Sequence, residues 1–480
     1  MSESPFNCDG GPTLLNQAPS LFRLKEAYPG YISRAIRAQA TARRIAKTII
    51  EPQSLPLDLA CQKDPRHVDW DLWRELNREK ISVCMIPKAL GGLGWGFLDI
   101  FCAMEEFVAA DVSITAFFMF NLFGPVCAFV EFKPEICLAL IRDLVVAQRQ
   151  EKPLFFAWAL TEPSCGSDNL NEDALATQKP SIRVRRVSGG YRVSGVKHFI
   201  SNGSLAERVL LILPVDPDRP KETFSCFFVK SDAPGFSVGR VEHKMGHRAK
   251  QTAEIVLDNV FIPDCDVWER PGRGWRHTME VLAVSTAAVG MLGLGLARGS
   301  LDRCINFCRD KKIDGKPLIE ENWVKIALAD MLRQITVLRS RLYDFAVAAD
   351  TFLVTKILDK PLVKAALAIA PEKAILSDPL LFLAKNPIIS ESASRFKHSE
   401  VPDETVAWFK SMGACAKVSG TDLAIDVSGR VLDIVGLRGA AHGFGMEKIF
   451  RDSKPAQIYE GTNQVNLLSY FKHEIGGGRP

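Results

Sequence analysis

The sequence predicts an α+β fold in which a helical region, a β unit and a second helical region follow one another. Apolar residues recur at helical spacing in "WDLWRELNREK", short β-rich runs occupy residues 155–265, and the helical period returns after Pro271. A central block of strands differs from the strand–helix alternation that builds a parallel sheet. We expect an N-terminal helical domain over 1–154, a middle β domain over 155–270 and a C-terminal helical bundle over 271–480.

Composition narrows the class of protein. The 480 residues are 47% hydrophobic and 24% charged, and the net charge is only +4, from 60 basic and 56 acidic residues. Such a balance gives no reason to expect nucleic acid or a charged membrane surface as a partner. The apolar run around Ala283–Leu296 is interrupted and too short to span a bilayer, so we expect no transmembrane segment. The 12 cysteines form no CxxC pair and the 8 histidines no ligand motif, so we expect a cytoplasmic protein without a metal site.

The N-terminal part begins with a basic segment. Between Ala27 and Ile50 there are five Arg or Lys residues and no acid, which suits either a transit peptide or an amphipathic first helix. The acids Glu3, Asp9 and Glu26 precede it and favour the helix. Further on, "IPKALGGLGWG" predicts a Pro/Gly-rich turn between two helical stretches.

The middle and C-terminal parts carry their own signals. "SIRVRRVSGGYRVSGVKHFIS" predicts a β-hairpin that turns at Ser188-Gly189-Gly190. Residues 328–345 carry an apolar stripe at steps of three and four, which predicts a long packed helix. The proline-rich stretch 351–402 is less regular, and we expect an insertion between two helices of the bundle.

Two motifs in the β unit are candidate binding elements. In "FAWALTEPSCGSDNL" (156–170) a strand runs into a turn whose amides and hydroxyls suit an oxygen-rich ligand; an ordinary strand exit explains the same letters. In "VKHFISNGS" (196–204), Phe199 and Ser201 lie two apart and so share a face of a regular strand, where they could cover a planar ring. Half-buried strand packing is the alternative.

The segment "QIYEGTNQ" (457–464) places the carboxylate of Glu460 directly before Gly461 and Thr462. A carboxylate on so uncrowded a stretch of backbone fits a catalytic base. A helix-start signal fits equally.

Taken in order, five segments resemble the acyl-CoA dehydrogenase family of flavoenzymes. They are "DWDLWRELNREKISVCMIPKALGGLGWGFLDIFCAMEEF", "ALTEPSCGSD", "GVKHFISNG", "MGHRAKQTAEIVLDNVFIP" and "FRDSKPAQIYEGTNQ". The resemblance covers nearly the whole chain. It implies an acyl-CoA dehydrogenase-like fold: an N-terminal helical domain, a middle β-barrel-like domain and a C-terminal four-helix bundle.

The resemblance also implies roles for individual residues. Glu460 matches the catalytic base, which removes the Cα proton of an acyl thioester while the β-hydride passes to flavin N5, and Gly461 gives the substrate clearance. Ser285 stands where some relatives place the base, and serine cannot serve as one. Ser167 would lie near the pyrophosphate or the substrate. The residues expected to contact FAD are Trp158, Leu160, Thr161, Ser167, Phe199, Ser201, Thr462 and Gln464.

Departures from the family pattern lie at the far end of the expected cofactor. Lys311 and Asp314 stand where the family has a flavin-binding Arg and Phe. Asp433 and Leu437 replace a Gln and a Gly in the segment that reaches the flavin of a neighbouring subunit. A lysine can neutralise a phosphate but lacks the bidentate fork of arginine.

The function that these features imply is dehydrogenation of an acyl thioester, carried on CoA or on an acyl carrier protein. The resemblance implies FAD as cofactor, an electron-transfer flavoprotein as acceptor, and a homodimer or homotetramer. Two alternatives stay open: an enoyl-thioester reductase using the same residues, and a flavin-poor structural subunit of a heteromeric enzyme.

Overall fold

The computed structural model describes residues 28–170, 180–269, 272–355 and 384–476, with a few isolated positions between 356 and 383. Helices precede and follow a block of strands, which confirms the predicted fold class. The first strand begins at Phe156 and the last ends at Glu269.

Seven α-helices lie in the described part of the N-terminal region. They are α1 (Pro29–Ile45), α2 (Glu51–Lys63), α3 (Trp70–Arg78), α4 (Phe97–Ala110), α5 (Val112–Asn121), α6 (Phe123–Glu131) and α7 (Pro134–Arg149). The basic segment is therefore a helix of the fold. Arg34 pairs with Asp99, and Arg43 with Glu106 on α4 at 2.8 Å. Residues 1–27 lie outside the described residues.

The β part consists of two four-stranded sheets. Their strands are β1 (Phe156–Ala159), β2 (Arg183–Val187), β3 (Gly190–Ser201), β4 (Arg208–Pro214), β5 (Phe224–Lys230), β6 (Phe236–Val241), β7 (Thr252–Pro263) and β8 (Val267–Glu269). One sheet has the order β1-β4-β5-β8, and the other β2-β3-β7-β6. The predicted hairpin is confirmed, because β2 pairs antiparallel with β3 and Val187 faces Gly190.

Long helices build the C-terminal part. They are α8 (Gly274–Asp310), α9 (Asn322–Ala349), α10 (Pro387–Glu400), α11 (Asp403–Gly439), α12 (Met446–Ala456) and α13 (Asn463–Glu474), and two short strands, β9 (Lys312–Ile313) and β10 (Lys316–Pro317), join α8 to α9. The predicted apolar stripe lies on α9. Of its six residues only Leu332 is exposed, at 51%, and the other five are buried: Leu328, Ile335, Leu338, Leu342 and Phe345.

Glycines bring α8 and α11 into backbone contact. A Cβ on Gly290 would lie 2.6 Å from the carbonyl oxygen of Ala416, and one on Gly293 2.2 Å from the carbonyl carbon of Gly420. Further along, a Cβ on Gly439 would lie 3.2 Å from the Phe307 ring. Residue numbers rise together on both helices, so α8 and α11 run in the same direction and their C-terminal ends lie at one end of the bundle.

The middle of the predicted insertion, nearly all of 356–383, lies outside the described residues. The described part of 351–402 includes α10, whose Lys397 forms a buried ion pair with Glu280 on α8. The three domain boundaries and the insertion remain predictions.

Two described stretches, Val112–Glu131 and Gly274–Asp310, are long and apolar enough to cross a membrane by length and composition alone. The second stretch contains the apolar run Ala283–Leu296, which we predicted from the sequence to be too short to span a bilayer. The helix that carries it is long enough, so that length argument is wrong. Inside the protein, 61% and 83% of their most apolar windows are buried. Packing in the core accounts for their apolar character.

Candidate active site

A tight loop between α12 and α13 displays Glu460. Glu460 and Gly461 both have left-handed backbone conformations, with φ of 54° and 77°. A Cβ on Gly461 would come within 2.9 Å of the Leu170 side chain and 3.0 Å of the Asn466 amide nitrogen. Glycine is therefore required there by both space and backbone geometry.

Helix α13 is capped by Thr462 and not by Glu460. The Thr462 hydroxyl accepts a hydrogen bond from the Val465 N–H at 3.3 Å. The interpretation of Glu460 as a helix-start residue is therefore wrong, because its carboxylate does not cap α13.

Two side chains hold the loop by its carbonyl oxygens. Lys417, fully buried on α11, donates to the Gln457 carbonyl at 3.1 Å, the Gly461 carbonyl at 2.7 Å and the Asn463 side chain at 2.6 Å. The Asn466 amide donates to the carbonyls of Glu460 and Gly461 at 3.2 and 2.9 Å. The backbone N–H of Glu460 has no acceptor within the described part of the chain, so it remains able to donate to a ligand.

The carboxylate of Glu460 is half-buried. Ser285 on α8 donates to it at 2.9 Å, so the position where some relatives carry the base faces Glu460 directly. Burial raises the pKa of Glu460 above its ordinary value, and the Ser285 hydrogen bond, Lys417 and Lys250 oppose that rise. A carboxylate with a raised pKa is a stronger base once ionised.

The first candidate motif lies against this loop. The Ser167 hydroxyl accepts a hydrogen bond from the Thr462 N–H at 3.1 Å, which joins segments 295 positions apart. Trp158 stacks on Phe123 with ring centroids 5.5 Å apart, and its buried indole N–H has no acceptor in the described residues. Leu160 is buried in the core. The indole N–H of Trp158 is therefore an unused donor at the end of β1.

Thr161 serves the backbone as well. Its hydroxyl donates to the His198 carbonyl, and its carbonyl accepts from the His198 N–H at 2.9 Å. Thr161 thus ties the end of β1 to β3, and its hydroxyl oxygen can still accept a bond from a ligand.

The second candidate motif departs from a regular strand. The pairing of β3 with β7 shifts register between Lys197 and Ile200, and Phe199 has a φ of 56°. The prediction that Phe199 and Ser201 share a face assumed unbroken alternation, and that assumption is wrong at this bulge. Phe199 is 58% exposed and stacks on His198, so its ring face is presented to a ligand.

Sequence reasoning missed the roles of four charged residues of this region. Lys197 and Glu162 form a buried ion pair at 3.0 Å beneath the first motif. Lys250, also buried, donates to the Ser201 hydroxyl at 2.9 Å, and Lys417 was not singled out. A lysine inside an apolar strand pattern, as in "GVKHFIS", is a signal that could have found the first of them.

The far-end residues lie elsewhere in the chain. Lys311 ends α8, Asp314 lies in the turn between β9 and β10, and Asp433 is exposed near the end of α11. From Ser285 to Asp310 the axis of α8 rises about 37 Å. One chain therefore does not bring Lys311 or Asp433 to Glu460.

The residues around Glu460 fit a planar, oxygen-rich cofactor such as FAD. The unused Trp158 N–H and the exposed Phe199 ring provide a donor and an aromatic face. The Gln464 side chain is exposed in the first turn of α13, and the turn at Ser167 adds polar groups. These groups suit the carbonyl oxygens and the ring of a flavin.

Two side-chain clusters among the described residues could hold a metal ion. Glu131, Cys226 and His277 are buried together, and His198, Glu242 and Glu254 meet at the β sheet. Their members are far apart in sequence, so spacing could not reveal them. In the first cluster Glu131 and His277 bond to each other. The absence of a metal site remains a prediction.

A cavity of about 1230 Å³ lies beside α8, next to but distinct from the loop of Glu460. Its described lining includes Ala283 and Val284, the residues directly before Ser285, together with Phe129 and apolar residues of α7. Glu460, Trp158 and Ser201 are not among those lining residues.

Comparison with known proteins agrees with this architecture. Family models match three parts of the chain: the acyl-CoA dehydrogenase N-terminal domain at 34–129, the middle domain at 157–260 and the C-terminal domain at 272–369 and 391–473. The chain belongs to the acyl-CoA dehydrogenase family, whose members are FAD-dependent oxidoreductases acting on CH–CH donors.

Curated relatives span almost the whole chain. An acryloyl-CoA reductase (NADH) of Anaerotignum propionicum is 24% identical over 433 residues, 90% of this chain and 93% of its own length. A cyclohex-1-ene-1-carbonyl-CoA dehydrogenase of Geobacter metallireducens is 26% identical over 435 residues, 88% and 97% of the two chains.

Solved structures share the fold. Butyryl-CoA dehydrogenase of Megasphaera elsdenii superposes with a TM-score of 0.70 at 23% identity, covering 91% of this chain and 97% of that one. A glutaryl-CoA dehydrogenase of Mycobacterium smegmatis in complex with FADH2 gives 0.67 at 20% identity, with 92% and 94% covered.

Proposed function

We propose that this protein catalyses the FAD-dependent α,β-dehydrogenation of an acyl thioester to the 2-enoyl thioester, with Glu460 as the base. The observation that carries the proposal is the loop of Glu460. In this left-handed turn the backbone N–H has no acceptor among the described residues, and the half-buried carboxylate accepts a hydrogen bond from Ser285 at 2.9 Å. When bound, FAD supplies the hydride acceptor for the β-hydrogen.

The residues of this chain would act on the proton and on the thioester oxygen. The Cα–H of a thioester is weakly acidic, so its removal needs a positioned carboxylate and a donor for the oxygen that gains negative charge. Glu460 takes the proton and its own backbone N–H donates to that oxygen. Gly461 adds no side chain beside the substrate, and the hydroxyl of Ser285 orients the carboxylate.

The cofactor would be shared between copies of the chain. We assign the ring to Trp158, Leu160, Thr161, Phe199 and Ser201, and the adjoining part to Ser167, Thr462 and Gln464. Lys311 and Asp433 would serve the FAD held by a second copy, because they lie so far along the bundle from Glu460.

Exposed apolar residues support a homodimer or homotetramer. Leu437, beside Asp433, is 94% exposed, and Ile326 on α9 and Ile475 after α13 are each 71% exposed. Contact with a second copy of the chain would remove these apolar side chains from water. A heteromeric assembly would use the same surfaces.

The substrate carrier, the acceptor and the location complete the proposal. The acyl group would arrive on CoA or on an acyl carrier protein, in fatty-acid or other acyl-thioester metabolism, and an electron-transfer flavoprotein would take the electrons. The eleven cysteines in the described residues are all free thiols, which supports a reducing, cytoplasmic location.

Reduction of an enoyl thioester is the second candidate function. It uses the same base and donor with the proton moving in the opposite direction, and one of the relatives is an acryloyl-CoA reductase. A flavin-poor structural subunit is the third. The organised loop of Glu460 weighs against it, and the changed far-end residues Lys311 and Asp433 weigh for it.

The purified protein tests the proposal directly. On anaerobic addition of a saturated acyl thioester, we expect the absorbance band of the oxidised flavin to bleach and a product lighter by two hydrogens to form. Faster reoxidation of the reduced flavin by the enoyl thioester than bleaching by the saturated one would favour the reductase. A sample that stays colourless after addition of FAD would overturn both enzymatic functions.

A further inference from the structure

A second, smaller pocket of about 250 Å³ lies where α8 begins, between α6 and α10. Its described lining consists of Val130, Glu131, Arg273, Arg276, His277, Arg395 and His398. Val130 also lines the larger cavity, so the two spaces adjoin, but they share no other described lining residue. Helix α10, which supplies Arg395 and His398, lies within the predicted insertion 351–402. Three arginines and a single acid give this pocket a basic character that the proposed reaction does not explain.

The charges at the start of α8 are the reverse of those that a helix start favours. The first N–H groups of a helix carry partial positive charge, so acids stabilise that end and cations destabilise it. The first turn of α8 contains no acid, no side chain caps it, and Arg273, Arg276 and His277 lie in it or directly before it. The positive charge gathered there would stabilise an anion bound in the pocket.

His277 is a buried polar side chain with one nitrogen unpaired. The residue is only 3% exposed, its Nδ1 bonds to Glu131, and its Nε2 has no hydrogen-bond partner among the described residues. A buried polar atom left unpaired costs about 1–3 kcal/mol. Since the side chain lines the pocket, a ligand held there can bond to Nε2 and remove that cost.

Two of the arginines keep most of their donors unused. Arg273 makes no side-chain hydrogen bond with the described residues, and it lies 4.0 Å from the carboxylate of Glu391. Within the described part of the chain, Arg395 donates only through Nε, to the same Glu391 carboxylate at 3.3 Å. Because a guanidinium has five N–H donors in a planar fork, both side chains can bind a further group that has several oxygens.

The carboxylates around the pocket do not cancel its cations. Each of four carboxylates already faces a cation: Glu131 faces Lys133, Glu280 faces Arg276 and Lys397, Glu391 faces Arg395, and Asp403 faces Arg276. Arg273 has to share Glu391 with Arg395, so one positive charge remains without a carboxylate of its own. Burial, and next the charges of Lys397 and Arg276, lower the pKa of His398 to about 4, although Glu131 acts in the opposite direction. The surroundings of His398 are therefore positive.

A metal ion is the alternative occupant near His277. Glu131, Cys226 and His277 lie close enough together to hold one. However, Lys133 lies 3.8 Å from the Glu131 carboxylate, and Arg276 directly precedes His277. These cations would repel another cation. The charge of the surroundings therefore favours an anion over a metal ion.

We propose that this pocket binds a phosphate group, with Arg273 and Arg395 as charged donors and His277 as the buried partner. The forked guanidinium groups match the oxygens of a phosphate. Nε2 of His277 bonds to a phosphate oxygen whichever of the two carries the proton. A carboxylate offers only two oxygens, whereas the helix start, the two guanidinium groups and Nε2 surround the pocket on several sides, which suits a tetrahedral phosphate.

Two kinds of ligand carry such a group. His277 precedes Ser285 by eight residues, which is about 12 Å of helix. A phosphopantetheine arm whose thioester lies at Glu460 is long enough to span that distance, and this source rests on the proposed function. A separate phosphate-bearing ligand needs no link to the base. The phosphate group is common to both.

Calorimetric titration of the purified 480-residue chain with inorganic phosphate tests the pocket. We expect saturable binding to the wild type that is about 10- to 100-fold weaker in the double variant Arg273→Met/Arg395→Met. The side chains of these arginines are 53% and 75% exposed, so the double variant should fold. His277→Asn should weaken phosphate binding as well, and Arg333→Met, exposed on α9, should leave it unchanged.

Several results would overturn the proposal. They are a wild type that does not bind phosphate, wild-type affinity in either pocket variant, equally tight binding of acetate, and a stoichiometric metal ion in the purified protein. None of these measurements depends on turnover or on bound flavin.

The source of the phosphate group is tested with two thioesters of the same acyl group, one on phosphopantetheine and one on pantetheine, which lacks the phosphate. If the carrier supplies the group, only the phosphopantetheine thioester should displace inorganic phosphate, and it should bind about 10-fold more tightly, a preference lost in the double variant. If neither thioester displaces inorganic phosphate, the occupant is a separate phosphate-bearing ligand. Failure of both thioesters to bleach the flavin would count against the proposed function, whereas phosphate binding would still decide the pocket.

Discussion

The two ends of α8 contrast in how completely one chain builds them. At the Ser285 end, α8 donates a hydrogen bond to the half-buried Glu460 carboxylate, and a lysine of α11 holds the backbone of its loop. At the other end, about 37 Å along the same helix, the half-buried Lys311 and the exposed Asp433 carry no resolved contact with each other. One chain therefore supplies all the described contacts of Glu460 at the first end, whereas the second end lies at the protein surface.

This difference separates what the chain does alone from what it needs a second copy for. The base and its donors are oriented by intrachain contacts, so changes there should alter chemistry. Changes at the far end should leave the folded chain intact and act on assembly and cofactor affinity.

The largest effect is expected at the base itself. Glu460→Gln keeps the shape of the side chain and removes the base, so we expect flavin bleaching to slow about 1000-fold while the flavin stays bound. Stopped-flow absorbance measures this rate, and Glu404→Gln, exposed on α11, is the control.

Glu460 also has a stability signature. Since burial raises its pKa, ionisation opposes folding, and the free energy of unfolding falls as the pH rises from the ordinary pKa of a glutamate through the raised pKa. Glu460→Gln lacks that fall, so it should be at least as stable as the wild type at pH 8. A clearly less stable variant would contradict the raised pKa of Glu460.

Removing the lysine behind the loop should have the next largest effect. Lys417→Met removes the buried ammonium donor from the carbonyls of Gln457 and Gly461, which keep only their bonds from the Asn463 N–H and the Asn466 amide. We expect about 100-fold slower bleaching and a loss of about 3 kcal/mol in the free energy of unfolding. Urea denaturation and stopped-flow absorbance measure the two quantities. Lys454→Met, exposed beside the same loop, should change neither; equal effects from both variants would remove Lys417 from the account.

Ser285→Ala should shift the pH dependence of the reaction. The base must be ionised to act, so bleaching should accelerate as the pH rises through the pKa of Glu460. The Ser285 hydrogen bond lowers that pKa, so its loss should move the profile to higher pH and slow the reaction about 10-fold on the acidic side. An unchanged profile would show that the hydroxyl does not reach the carboxylate.

The smallest effect on the single chain is expected at the far end. Lys311→Met and Asp433→Asn should change the free energy of unfolding by less than about 0.5 kcal/mol, because neither residue is buried. Both should weaken FAD binding a few-fold in the assembled protein, measured by fluorescence titration. If either variant lost as much stability as Lys417→Met, the far end would be part of the folded core of the single chain, which contradicts the difference between the two ends of α8.

Sequence patterns predicted elements better than their details. The three-part order, the hairpin at Ser188-Gly189-Gly190 and the first basic helix follow from local periodicity and turn chemistry, which the chain carries residue by residue. The bulge at Phe199 depends on register with β7, and the cap at Thr462 depends on the left-handed turn before it. The spacing of neighbouring residues predicts neither the bulge nor the cap.

Residues of the candidate site that belong to a sequence motif could be predicted, and residues that tertiary packing brings there could not. "QIYEGTNQ" identified Glu460 and Gly461, although their roles remain proposals. Lys250 and Lys417 arrive from a β-unit loop and from α11, at places set by tertiary packing. No spacing in the sequence brings them to Glu460.

The central claim is that Glu460 removes a proton from Cα. The most direct measurement is deuterium uptake at Cα when the FAD-loaded protein is incubated anaerobically with excess acyl thioester in D2O, followed by mass spectrometry of the recovered thioester. Deuterium should enter with the wild type and, more slowly, with Ser285→Ala, but not with Glu460→Gln. Uptake at the wild-type rate in Glu460→Gln would contradict the account.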